Sequence, residues 1–154
     1  MDRYRSFAGQ VTLRWRQSNI GGNEGGPMCK EPTNGIAQAL GVARAFRELA
    51  VDAVESGRLP REMAISMART AAEGAAIVQG VLDDFASRLT PQVLANATHS
   101  VSELETLTGL ADLAASHELE GRQALSLARA MRHTADHAVT TLDRTEMALR
   151  AMGG

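Results

Sequence analysis

Apolar residues spaced by three and four, from Ile36 to the end of the chain, constrain this protein more than any other feature of its sequence. Ile36, Ala39, Ala43, Phe46, Ala50 and Ala53 fall on one face of a helix with about 3.6 residues per turn. Asn34 is the expected N-cap and Gly57 the expected stop. Pro60 then suits the first turn of a second helix. Its stripe is Ala64, Ala68, Ala71, Ala75, Val78, Leu82, Phe85 and Leu89. Gly74 and Gly80 interrupt this helix, which predicts close backbone approach to a neighbour.

Thr90-Pro91 is an N-cap and N1 pair, opening a third stripe of Val93, Ala97, Val101, Leu104, Leu107, Ala111 and Ala114. Ser100 with Glu103 and Ser102 with Glu105 both fit a capping box, so a break near 99–102 is an expectation. Ser116 is the expected cap of a last helix over 117–152, roughly 54 Å long at 1.5 Å per residue. Its face is Ala124, Leu127, Met131, Ala135, Ala138, Leu142, Leu149 and Met152. Short connections favour antiparallel neighbours. The reading is an all-α, up-down bundle of about four long helices over 36–152, preceded by a strand-like arm over 1–17 and a Gly-rich linker over 18–35.

The stripes are made mostly of alanine, and aromatic residues are 3% of the chain. A methyl group buries little area at about 25 cal/mol per Å². Such helices must approach closely, or the chain must bury further surface against a partner. Three of the five aromatics, Tyr4, Phe7 and Trp15, lie in front of the helical region. Val11, Leu13 and Trp15 alternate with Thr12, Arg14 and Arg16, the period of a strand with one apolar face. A lone strand leaves its backbone groups unpaired, so it needs another surface. Aromatics and arginine also dominate interface hot spots. Tyr4, Phe7, Val11, Leu13, Trp15, Arg14 and Arg16 are therefore the candidate partner-binding residues. The glycines of GGNEGG supply reach.

Other chemistry is thinly represented. GGNEGG lacks the Gly-Lys-Ser/Thr end of a phosphate loop, since Lys30 is followed by Glu31-Pro32. Cys29 is the one cysteine, which rules out an intrachain disulfide and fits a reducing compartment. A helix-turn-helix over 58–82 is disfavoured, because Ala71 to Val78 offers almost no side chain able to reach a base. The net charge of −2 gives no global attraction to nucleic acid or membrane. No apolar run is long enough to span a bilayer, and the N-terminus lacks the apolar core of a secretory signal. Cytoplasm, or an assembly made there, is the expected location.

His133 and His137 share one side of a helix, as do His99 and Glu103. HxxxE followed by HxxxH resembles part of the hemerythrin-like pattern, which implies a metal site among helices. The resemblance covers these four residues only. The further helix-borne histidine and the later His-Asp motif of that pattern are missing, and the interval between the pairs is longer. No Glu-x-x-His of the ferritin-like kind occurs. With Met131 at zero and about 100° per residue, His133 and His137 fall near 200° and 240°, opposite the apolar stripe. A solvated pair is the expectation, and no cofactor is expected.

The functional expectation is a non-catalytic structural protein that forms a homo-oligomer or a larger particle, such as a virion component, with residues 1–17 docking on a neighbouring subunit or protein partner. A metal-binding bundle using His99, Glu103, His133 and His137 is one alternative. An accessory protein that binds nucleic acid through the Arg-rich arm is the other.

Overall fold

The computed structural model describes residues 32–117 and 119–153. They form four α-helices: α1, Pro32–Ser56; α2, Arg61–Phe85; α3, Pro91–Ser116; and α4, Gly121–Ala151. One 3₁₀ turn, Ala86–Arg88, follows α2. The expected all-α bundle is found. The arm and most of the linker, including Tyr4, Phe7, Val11, Leu13, Arg14, Trp15 and Arg16, lie outside the described residues.

Connections of a few residues force each helix to run back along the one before it. The helices form a ring in which α1 packs on α2 and α4, and α3 packs on α2 and α4. Two ion pairs record the antiparallel course of α1 and α4: Arg44 Nη2 to Asp143 Oδ1 and Arg47 Nε to Asp136 Oδ1, both at 3.9 Å. As the residue number rises on α1 it falls on α4. These pairs are half-exposed, so each adds little stability.

The stripes form the core. Ile36, Ala39, Ala43, Phe46, Ala50 and Ala53 are all buried on α1. They meet Ala64, Ala68, Ala71 and Val78 of α2, Leu104 and Leu107 of α3, and Met131, Ala135 and Leu142 of α4 in one continuous cluster. Leu59 and Leu89, in the connections, close its two ends. A Cβ on Gly74 would meet Val42 of α1 at 3.2 Å and Leu104 of α3 at 3.4 Å, so the expected close approach is present there.

The ends obey local rules. Gly57 leaves α1 with φ +68°, the left-handed cap that glycine adopts without steric cost. Thr90 caps α3, its hydroxyl accepting from Val93 N at 3.2 Å, with Pro91 next in the chain.

Several boundaries differ from expectation. α1 already includes Pro32, so Asn34 lies in its first turn and is not its cap. α3 runs unbroken through 99–102. Ser100 is buried there and its hydroxyl donates to Asn96 O at 3.0 Å, which satisfies it within the helix. Ser116 ends α3, and α4 begins only at Gly121, whose φ is +59°. The last helix is therefore shorter than expected, about 46 Å at 1.5 Å per residue for its 31 residues. Met152 lies beyond it and is 48% exposed rather than part of the core face.

Candidate functional site

The histidine-bearing residues stand on two helices. His99 and Glu103 lie on consecutive turns of α3, with His99 Nε2 3.7 Å from Glu103 Oε1. That separation is too long for a hydrogen bond. Glu103 Oε1 is buried and has no hydrogen-bond partner among the described residues, while His99 is largely exposed.

On α4, His133 and His137 are exposed, and their rings meet edge to face with centroids 4.7 Å apart. They share a shallow polar recess with Asp136, Thr140, Thr141 and Arg144. This is the side opposite Met131, Ala135 and Leu142, as the helical wheel requires. Asp136 faces Arg47 of α1. The hydroxyls of Thr140 and Thr141 donate to carbonyls of their own helix, Asp136 O and His137 O, each at 2.9 Å. The recess thus offers two imidazoles, one carboxylate already opposite a guanidinium, and one further arginine.

Among the described residues no three side chains of His, Cys, Asp or Glu form a group able to hold a metal ion. The pair on α3 and the pair on α4 therefore do not combine into one ligand set. Cys29 lies outside the described residues, as does the whole candidate partner-binding arm.

A second feature was not anticipated from the sequence. Where α3 ends and α4 begins, Leu113, Leu119, Leu127 and Ala130 line an open apolar recess, with Arg122 and Gln123 at its rim. Leu113 is 46% exposed. Each residue alone reads as an ordinary member of a half-exposed face. Only the turn between the helices assembles them. No described helix is long and apolar enough to cross a membrane.

No family model matches the chain, no curated protein matches it, and no solved structure matches its fold.

Proposed function

We propose that this chain is a non-catalytic structural protein that assembles into a homo-oligomer or larger particle, with residues 1–17 docking on a neighbouring subunit. One observation carries the reading. Among the described residues the core runs from residue 36 to residue 149, with Phe46 and Phe85 as its aromatics. The remaining three aromatics, Tyr4, Phe7 and Trp15, precede the bundle in the sequence, among arginines. Rings of this kind bury large area and anchor interfaces. The arginines among them supply polar contacts at the rim of such an interface.

The bundle supports the reading by what it offers in turn. Its helices are long and lined mostly by small residues, and their exposed faces carry charge. The ion pairs of Arg44 and Arg47 tie the outside of the body together rather than arm it. Native mass of the full chain, compared with a chain lacking residues 1–20, tests the proposal.

A further inference from the structure

His133 and His137 stand one turn apart on the exposed side of α4, with ring centroids 4.7 Å apart. Zinc–nitrogen bonds of about 2.0 Å at tetrahedral angles hold the centroids of two ligating imidazoles about 5 Å apart. The two rings are therefore already spaced as ligands of one ion, and a helix that presents histidines at i and i+4 is a known zinc-binding arrangement. Asp136 lines the same recess, where its carboxylate favours a cation and offsets Arg144 at the other end. Two imidazoles are half of a closed tetrahedral set. Among the described residues no third ligand-type side chain joins them.

The rest of this face of α4 indicates where the other half comes from. Positions 123, 126, 130, 133, 137, 140, 144 and 147 alternate spacings of three and four, and all are exposed. That is the seam of a helix that pairs with another helix. Arg144 is its only residue of fixed charge. The series is also its own mirror about position 135, so 123 matches 147, 126 matches 144, 130 matches 140 and 133 matches 137. Laid antiparallel on a second copy of itself about a two-fold axis, the seam meets itself position for position.

That arrangement brings His133 of each copy opposite His137 of the other, four imidazoles around the axis. Met147, 62% exposed, comes opposite Gln123 of the second copy, on the rim of the apolar recess of Leu113, Leu119 and Leu127. An exposed apolar side chain is thus delivered to an open apolar recess, twice by symmetry. Arg144 comes opposite Ser126 and meets no like charge on the seam. On the flank Arg129 comes opposite Asp143 of the second copy. Farther out Arg122 comes opposite Arg150, which Glu146 already pairs at 3.3 Å. Asp136 approaches its own copy across the axis, and a dication held between the histidine pairs offsets that repulsion. Pairing along this face is therefore tied to the metal.

We infer that His133 and His137 are half of a four-imidazole zinc site, completed by the same pair from a second copy whose α4 lies antiparallel on this one. The contact uses no residue of the arm, so it is a second, metal-dependent interface beyond the assembly proposed above.

The full chain, stripped with chelator and then given zinc at mildly alkaline pH, tests it. Zinc is expected to bind at about half an ion per chain and to raise the native mass above that found in chelator. His133→Ala and His137→Ala are each expected to lose both effects with helical content unchanged by circular dichroism, and His99→Ala to keep them. The register has its own readout. In a Cys29→Ser background, a nitroxide on Gln123→Cys is expected to show a zinc-dependent distance to its copy of about 36 Å, the rise of the 24 residues from 123 to 147. One zinc per chain, a native mass that zinc leaves unchanged, or binding that survives both α4 histidine variants overturns the site. A zinc-dependent nitroxide distance near 10 Å, the sign of parallel helices, or none at all, overturns the pairing. The arm is tested in chelator, where this contact is absent, so either reading fails without the other.

Discussion

A Cβ on Gly74 would lie 3.2 Å from Val42 Cγ1, so α1 and α2 touch through the side chain that Gly74 lacks. Elsewhere in the core a methyl group is the usual spacer between helices. At this crossing even a methyl group is too much unless Val42 moves. The alanine content of the stripes and the glycine inside α2 are thus one property: these helices stabilise one another by close approach of backbones, with few large side chains between them.

Gly74→Ala sets two effects against each other. Helix propensity favours alanine by about 1 kcal/mol, and crowding against Val42 opposes it. The expected net change in unfolding free energy is under about 1 kcal/mol. In a Val42→Ala background the crowding is relieved and the substitution should stabilise. A double-mutant cycle by urea denaturation is expected to show a coupling of about 0.5 kcal/mol or more. Additive effects would mean that Val42 does not restrain this crossing.

Gly41 and Gly57 should respond with opposite signs. Nothing lies within 4 Å of a Cβ at Gly41, which sits in the interior of α1, so Gly41→Ala is expected to stabilise by about 0.5–1 kcal/mol. Gly57 also has open space, but its φ is +68°. Gly57→Ala is expected to destabilise by about 1–2 kcal/mol because an L side chain is strained in that conformation. Thermal or urea unfolding of the two single variants measures both.

Phe46 is the one aromatic side chain with no exposed surface among the described residues. Phe46→Ala should cost about 3–5 kcal/mol, since a core of small residues has little with which to refill the cavity. Leu113→Ala, at the open recess, should fall within about 0.5 kcal/mol of the parent chain. Comparable losses at the two positions would show that the recess is covered in solution by something that holds Leu113.

The helical stripes were legible because a period of three and four needs only local spacing, and Ile36 to Ala53 lie buried as that spacing demands. The same rule puts His133 and His137 outside the core, where they are found. Boundaries were less legible. Ser100 and Glu103 carry the residue types of a capping box, yet Ser100 also serves within a continuous helix by bonding to Asn96 O. Ser116 could open a helix as well as close one, and the left-handed Gly121 decided where α4 starts. The apolar recess was not legible, because Leu113 and Leu127 belong to different helices and line one recess only through the turn.

The central claim is assembly through the arm, and native mass tests it most directly. Sedimentation equilibrium of the full chain is expected to give a mass well above that of a single 16.4 kDa chain. Removal of residues 1–20 is expected to reduce it to a single subunit with unchanged helical content. A mass that does not depend on the arm, whether monomeric or oligomeric in both cases, would contradict the account.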